Sequence, residues 1–299
     1  MKMQAANAIR APLVKLPRYL GVVRIWESLY ALPFCYIGMI LASVETGGSG
    51  WPGWADFIWI TVALTGVRTL GMSANRIVHR KEDSVNPRTQ GRHIPQGLVK
   101  PAEVIALAVI GTGVFFYAAS QLNTLTLILA PVAALYVVFY SFTKYFTWAC
   151  HFFLGFALAI SPSAAWIAVT GRLDPEPMLL TFAVAMWAGG FDVIYGCADY
   201  DFDRQYGTNS LAKRFGISAA IWTMRTMHLV AAIALLAVGL WMELGVFYFI
   251  GWAIAVALLA LENSLVRADD LSKLRSPLFQ YNSVISVSLL VFTILAVAL

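Results

Sequence analysis

Apolar blocks alternate with short polar segments along the whole chain of 299 residues. Each block is about 20 residues long, the length of α-helix that crosses the hydrocarbon core of a bilayer. Hydrophobic residues make up 60% of the chain and charged residues only 12%, fewer than a soluble domain of this length carries. The pattern therefore predicts an all-α polytopic membrane protein with about nine spans, at roughly 19–42, 57–80, 101–121, 125–143, 148–170, 178–198, 217–240, 244–264 and 278–298.

The basic residues are distributed unevenly between the two ends of these spans. Of the 21 Lys and Arg residues, almost all precede the first span or follow an even-numbered span, and the opposite loops contain only Arg172. Positive charge accumulates in cytoplasmic loops, so the N-terminus is predicted to lie inside. The net charge of +5 then reflects membrane topology, and no nucleic-acid partner is expected.

The polar segments indicate one integral-membrane domain that comprises the whole chain, 1–299. Residues 1–18 contain basic residues but no apolar signal-peptide core, and they are predicted to form a cytoplasmic arm. Two longer polar segments, 81–100 and 199–216, are predicted to be cytoplasmic loops that cap the bundle, where function tends to concentrate. Three cysteines lie in or beside spans and are interpreted as apolar packing residues.

The second span reads ALTGVRTLGMSANRIVHRKED and contains a stripe of polar residues. Residues four and seven apart share one face of an α-helix, so Arg68, Asn75, His79 and Asp83 are expected to lie on one side, with Met72 between them. Arg68 falls well within the apolar block. A charge at that depth normally faces a polar cavity or partner.

The sixth span contains a second stripe with the same orientation. Asp192, Tyr195, Asp199 and Asp203 recur at spacings of three and four, whereas Asp201 points elsewhere. Two polar stripes at the same depth predict a shared central cavity that opens to the cytoplasmic side.

Carboxylates four residues apart on a helix present clustered oxygens, which are the ligands that Mg²⁺ prefers. Such sites usually complete the Mg²⁺ shell with water and substrate phosphate. The basic loops would supply counter-charge for a diphosphate, and the candidates are Arg88, Arg92, Lys144, Lys213 and Arg214.

Structural interpretations of the same residues remain open at this point. Asp83 alone could be an interfacial helix end, and Arg68 could be a structural partner of Asp192. Glu27 could be a structural polar contact. His151 and His228 are better explained as packing or interfacial residues than as ligands.

Two segments resemble the signatures of a known family. NRIVHRKEDSVNPRTQGRHIPQG resembles the first signature, NxxxDxxxD, of the UbiA superfamily of intramembrane prenyltransferases, and DVIYGCADYDFDRQYGTNSLAKRFG resembles the second, DxxxD. The nearest branch is that of 4-hydroxybenzoate polyprenyltransferases, which includes menaquinone-pathway members. The resemblance extends from about residue 18 to the last span.

The resemblance implies Mg²⁺-dependent transfer of an isoprenyl group from a prenyl diphosphate to an aromatic acceptor such as 4-hydroxybenzoate, in quinone biosynthesis. It implies two Mg²⁺ ions bridged by the diphosphate and a location in the bacterial inner membrane. It also implies that the metal and diphosphate ligands are Asn75, Asp83, Asp199 and Asp203, and that the cavity is lined by Arg68, Lys144 and Tyr195. Two alternatives remain: a terpene cyclase that needs no acceptor, and a non-catalytic protein that binds prenyl diphosphates. A transporter is disfavoured because the polar stripes end at one membrane face.

His79 departs from the family pattern, which has aspartate at this position. Neutral imidazole is a poor Mg²⁺ ligand compared with a carboxylate. His79 could be protonated and contact the diphosphate, it could point away while Glu82 or Asp83 covers the metal, or the site could be altered. We expect that diphosphate binding is retained, because the second motif is complete.

Overall fold

The computed structural model describes residues 15–271 and 277–299, with the side chains of 277–279 excluded. These residues are helical throughout their regular structure, and nine of their helices are long and apolar enough to cross a membrane. The membrane-spanning helices are α1 (Ser28–Glu45), α2 (Trp54–Val78), α4 (Pro101–Ser120), α5 (Thr124–Thr143), α6 (Cys150–Thr170), α7 (Glu176–Ala198), α10 (Ile217–Trp241), α11 (Val246–Leu265) and α12 (Pro277–Ala298).

The predicted class and number of spans are confirmed, and most boundaries differ by a few residues. The first span differs most, because it begins at Ile25 and not near residue 19. Its first three residues, Ile25–Glu27, form a short 3-10 helix that leads directly into α1. A helical stretch over 15–22 precedes it and stops before Arg24, which has the left-handed φ of 47°. Most of the predicted arm, 1–14, lies outside the described residues.

The two predicted cap loops are partly helical, which the polar composition did not indicate. They contain α3 (Arg80–Val85), α8 (Tyr200–Tyr206) and α9 (Leu211–Phe215). The break between α2 and α3 falls on His79, and the break between α7 and α8 falls on Asp199. Each polar stripe therefore changes direction at the cytoplasmic end of its span.

The spanning helices pack in two groups. Helices α1, α6, α7, α10, α11 and α12 form a closed ring of successive neighbours, and α2, α4 and α5 form a second group beside α1 and α6. The core of the ring contains the large buried side chains Phe34, Trp166, Trp187 and Tyr248.

The second group depends on small residues, as is usual where membrane helices approach closely. Gly66 of α2 faces Gly111 of α4, and a Cβ atom added at Gly66 would lie 2.9 Å from the carbonyl oxygen of Gly111. Any larger residue would push the two backbones apart. The close packing of α2 on α4 leaves the opposite face of α2 directed towards α6 and α7.

Candidate active site

A cavity of about 700 Å³ lies between α2 and α5 on one side and α1, α6 and α7 on the other. Both polar stripes line it, so the prediction of a shared cavity is confirmed. The lining residues from the stripes are Arg68, Met72, Asn75, His79, Asp83, Asp192, Tyr195 and Asp199. The mouth of the cavity lies at the end of the bundle that carries the basic loops, which is the cytoplasmic side by the distribution of charge.

Ion pairs surround this mouth, and we refer to Asp83, Asp199, Asp203, Arg88, Arg92 and Lys144 together as the rim. Nη1 of Arg92 lies 2.7 Å and 2.8 Å from the two carboxylate oxygens of Asp83. The carboxylate of Asp83 is buried, so this contact is shielded from water. The first motif is thus neutralised by an arginine nine residues further along the chain.

Asp199 has the most partners of the three rim carboxylates. Arg88 binds it in a bidentate manner through Nε and Nη2, with Nε 2.7 Å from Oδ1, and Nδ2 of Asn86 donates to the same oxygen at 3.0 Å. Burial alone would raise the pKa of Asp199, but the hydrogen bonds and charge of Arg88 outweigh it and hold the pKa below its usual range. Asp199 is therefore ionised at neutral pH.

Lys144 connects the two carboxylates of the second motif. Its Nζ lies 3.1 Å from Oδ1 of Asp203 and 3.9 Å from Oδ2 of Asp199. Burial lowers the pKa of Lys144, but the charges of Asp203 and Asp199 outweigh this effect and raise it overall. The ammonium group is a permanent cation at the rim.

Asp203 lies behind the cavity wall and not on its surface. Its side chain is fully buried, and Oδ1 accepts a hydrogen bond from the hydroxyl of Thr208 at 2.5 Å. Its Oδ2 is buried without a hydrogen-bond partner among the described residues. A buried carboxylate oxygen without a partner is costly, so this position is suited to a cation.

His79 lines the cavity and packs on an aromatic ring. Its ring centroid is 5.5 Å from that of Tyr145, whose hydroxyl is 3.0 Å from Oε1 of Glu82. Burial, assisted by the charge of Lys144, lowers the pKa of His79 to about 4. The imidazole is neutral at neutral pH in the substrate-free site.

Asn75 is oriented by two neighbours one turn below His79. Its Oδ1 accepts from Nη1 of Arg76 at 3.1 Å, and its Nδ2 is 3.5 Å from Oγ of the buried Ser141. The amide therefore reaches the cavity with one carbonyl lone pair still available.

The deeper polar groups form pairs that differ from those proposed for the sequence. Arg68 does not pair with Asp192: its Nη2 is 3.8 Å from Glu27 and donates to the carbonyl of Arg24 at 3.1 Å. Asp192 contacts Nδ1 of His151 at 2.6 Å instead. Spacing along α2 and α7 does not predict these partners, because Glu27 lies in the turn directly before α1 and His151 lies on α6.

Two of the predicted substrate-binding cations do not reach the cavity. Nζ of Lys213 donates to the carbonyl of Thr208 at 2.7 Å, so this side chain stabilises its own turn. Arg214 is exposed and lies over the ring of Phe215. Neither side chain is among the residues that line the cavity in the described part of the chain.

Several cavity residues were missed by sequence reasoning. Asn86 contacts Asp199 across 113 positions of sequence, and Arg24 and Glu27 form a 2.8 Å ion pair at the cavity wall. Asn86 lies within the conspicuous segment that follows the first motif, but no spacing rule relates it to Asp199. His151 had been interpreted as a packing residue.

The carboxylates are suited to a metal that is shared with a substrate. In the described part of the chain, no three His, Cys, Asp or Glu side chains converge as a preformed metal cage. Mg²⁺ commonly binds through one or two carboxylates together with substrate phosphate. The partnerless oxygen of Asp203 and the ionised Asp199 fit such a site.

An apolar cavity inside the membrane, with paired acids and bases around its cytoplasmic mouth, is suited to an integral-membrane enzyme that acts on an amphipathic substrate. A model of the UbiA prenyltransferase family matches residues 31–284. The chain belongs to this family and is a multi-pass membrane prenyltransferase.

Curated relatives and solved structures agree with this assignment. The chain is 30% identical over 272 residues to a 4-hydroxybenzoate octaprenyltransferase from Vibrio cholerae, covering 90% of this chain and 89% of the relative. It is 29% identical over 258 residues to the enzyme of the same name from Paraburkholderia phytofirmans, covering 85% and 87%.

The fold also matches experimental structures. The apo structure of a UbiA homologue from Aeropyrum pernix K1 superposes with a TM-score of 0.80 at 28% identity, covering 89% of this chain and 96% of that one. A UbiA homologue from Archaeoglobus fulgidus bound to GPP and Mg²⁺ gives a TM-score of 0.71 at 15% identity, covering 94% and 100%.

Proposed function

We propose that this protein transfers a prenyl group from a prenyl diphosphate to a carboxylated aromatic acceptor of the 4-hydroxybenzoate class. The main structural support is the rim, where three carboxylates and three cations surround the mouth of an apolar cavity. A diphosphate at the mouth and a prenyl chain below it would match this division of polarity. The bacterial relatives support a role in quinone biosynthesis in a bacterial inner membrane.

Mg²⁺ fits the rim as a cofactor that arrives with the diphosphate. Asp83 and Asn75 would hold one ion, and Asp199 and Asp203 would hold a second. Bound Mg²⁺ supplies positive charge that stabilises the diphosphate as it leaves the allylic carbon.

The cations of the rim would exchange partners when substrate binds. Arg88, Arg92 and Lys144 each neutralise a carboxylate in the substrate-free structure. Phosphate oxygens are strong acceptors for guanidinium and ammonium groups, so these side chains can turn to the diphosphate when Mg²⁺ takes the carboxylates. The neutral imidazole of His79 adds no repulsive charge for the diphosphate and remains packed on Tyr145.

The walls below the rim are suited to an allylic cation. Tyr30, Tyr140, Phe191 and Tyr195 present aromatic rings to the cavity. Aromatic faces stabilise a cation, and an apolar wall keeps water from it. The prenyl chain would continue along the apolar residues of α2 and α5.

The cavity can accept a chain longer than itself. Val132 of α5 and Phe156 of α6 line it, and 63% and 40% of their surfaces are exposed. An opening towards lipid at this place would let the end of a long prenyl chain leave the cavity.

Arg68 favours a transferase over a cyclase. Its guanidinium lines the cavity, and its Nε is buried without a hydrogen-bond partner among the described residues. A carboxylate-bearing acceptor would satisfy this donor, because guanidinium groups bind carboxylates through paired N–H donors. A cyclase that acts on the prenyl chain alone would leave it unused.

The decisive experiment is a reconstituted assay. Purified protein in lipid is incubated with Mg²⁺ and prenyl diphosphates of several lengths, with and without 4-hydroxybenzoate and its decarboxylated analogue phenol. We expect alkylated product and pyrophosphate only with the carboxylated acceptor. Pyrophosphate with a terpene product and no acceptor would instead identify a cyclase, and saturable binding without turnover would identify a non-catalytic protein.

A further inference from the structure

His151 is a buried histidine that points at one cavity carboxylate. It lies on α6 with 3% of its surface exposed, and its Nδ1 is 2.6 Å from Oδ2 of Asp192 on α7. Gly196 of α7 makes room for the ring, since a Cβ atom there would lie 2.6 Å from Cε1 of His151. The packing of α6 on α7 therefore fixes the direction of the imidazole.

The second nitrogen of the His151 ring makes no hydrogen bond that would stabilise the fold. Nε2 of His151 is buried without a hydrogen-bond partner among the described residues. Burying an unsatisfied nitrogen costs folding free energy, and a buried ion pair seldom repays the loss of hydration. If the His151–Asp192 pair only stabilised the fold, two apolar side chains in the same place would do so equally well or better.

Asp192 connects this pair to the reaction chamber. Its side chain lines the cavity and is 22% exposed, whereas the side chain of His151 alone is 4% exposed. It precedes Asp199 by seven residues on α7, which places it roughly 10 Å below the rim. At this depth the carboxylate would lie below a diphosphate bound at the rim, where an acceptor ring could reach it.

The reaction itself requires a proton acceptor at this depth. The allylic C–O bond breaks with its electron pair leaving on diphosphate, and π electrons of the aromatic ring form the new C–C bond. The C–H bond at that ring carbon then breaks, its electron pair restores the aromatic ring, and one proton is released. Since the walls are largely apolar, a carboxylate is well suited to receive it.

We propose that Asp192 accepts the proton released by the aromatic ring, and that His151 acts as its positioning residue. This inference rests on the proposed aromatic acceptor. His151 donates Nδ1–H to Oδ2 of Asp192, which directs the other carboxylate oxygen to the cavity. The proton then leaves from Asp192 through the open mouth once the product departs.

The test uses His151→Gln, with His228→Gln as the matched control. Glutamine can still donate a hydrogen bond but cannot hold an imidazole in the same orientation. His228 is another buried histidine, 1% exposed, whose Nδ1 is 3.2 Å from Oδ1 of Asn263, and it does not line the cavity. Both variants remove one buried ring from the bundle.

The assay compares turnover of 4-hydroxybenzoate with that of its ring-deuterated form. In the wild type we expect loss of the ring proton to be faster than the preceding steps, so the two rates should be equal. In His151→Gln we expect kcat to fall roughly tenfold, KM for prenyl diphosphate to stay unchanged and a primary deuterium isotope effect to emerge. Asp192→Asn should lower kcat by about 10²-fold with the same isotope effect. His228→Gln should show no isotope effect.

The isotope effect is a ratio of rates, so partial misfolding of a variant does not alter it. If His151→Gln lowers kcat without an isotope effect, or raises KM for prenyl diphosphate in proportion, the inference is wrong and His151 only packs. If the wild type makes no alkylated aromatic product at all, the proposed acceptor fails and this inference fails with it.

Discussion

Both polar stripes end at a break between a membrane-spanning helix and a short helix, but the residues at the two breaks differ in charge. Helix α2 breaks at His79 with φ −92° and ψ 15°, and helix α7 breaks at Asp199 with φ −95° and ψ 6°. Each break is followed by a short helix with an aspartate four residues further on, Asp83 and Asp203 respectively. The two sides of the mouth therefore share a geometry that the family signatures reflect as a repeated four-residue spacing.

The side chains at the two breaks behave in opposite ways. Asp199 is ionised and held by Arg88, Asn86 and Lys144, whereas His79 is neutral and packed on Tyr145. Lys144 contributes to both outcomes, since its charge helps to lower the pKa of each group. The second break thus places an ionised carboxylate among three polar partners, whereas the first places an uncharged ring at the equivalent position.

The largest effect is expected at the second break. Asp199→Asn removes the carboxylate and leaves the Arg88 guanidinium without its partner, so we expect kcat/KM to fall about 10³-fold. The measurement is pyrophosphate release in lipid vesicles at saturating Mg²⁺. Asp201→Asn is the control, because Asp201 is exposed and should retain wild-type activity. Near-normal turnover of Asp199→Asn would remove the proposed difference between the two breaks.

Lys144 should have the next largest effect, because it neutralises two carboxylates. Lys144→Met leaves Asp203 with only the Thr208 hydroxyl, and we expect turnover to fall about 10²-fold. Lys213→Met removes an equivalent charge from a side chain outside the cavity and should change turnover little. Equal losses in both variants would mean that the overall loop charge matters and that the rim contacts do not.

Arg92 tests the first break through its partner Asp83. Arg92→Ala should raise KM for prenyl diphosphate about tenfold with a smaller change in kcat, because one contact to the diphosphate is lost while the second break remains intact. Arg214→Ala, at an exposed cytoplasmic position, is the control in the same kinetic assay. A loss confined to kcat would contradict a role in diphosphate binding.

The smallest effect is expected at His79. His79→Asp places a carboxylate at the first break and makes the two breaks alike, so Mg²⁺-dependent turnover should be retained or raised up to a few-fold. The same assay is run as a titration with Mg²⁺, where the half-saturating concentration should fall. A collapse of activity in a correctly folded variant would show that the imidazole itself is required.

Much of the candidate site was predictable, and the errors share one cause. Arg68, Asn75, His79, Asp83, Asp192 and Asp199 all line the cavity, as the helical spacing predicted. The differences concern partners and loops: Arg68 pairs with Glu27 and not with Asp192, and Lys213 and Arg214 are not among the cavity-lining residues of the described chain. Spacing within one helix says which residues share a face. It does not say which residue of another helix meets them.

The sequence by itself determined the number of spans, their orientation and the two stripes, because each follows from local quantities: the length of an apolar block, the charge of a loop and the period of 3.6 residues per turn. Only the tertiary structure decided how α1 and α6 are rotated against those stripes and where the cap loop runs. Those two features bring Glu27 to Arg68, His151 to Asp192 and Asn86 to Asp199. Both features result from the simultaneous packing of many helices, and the sequence of one segment does not specify how it packs on the others.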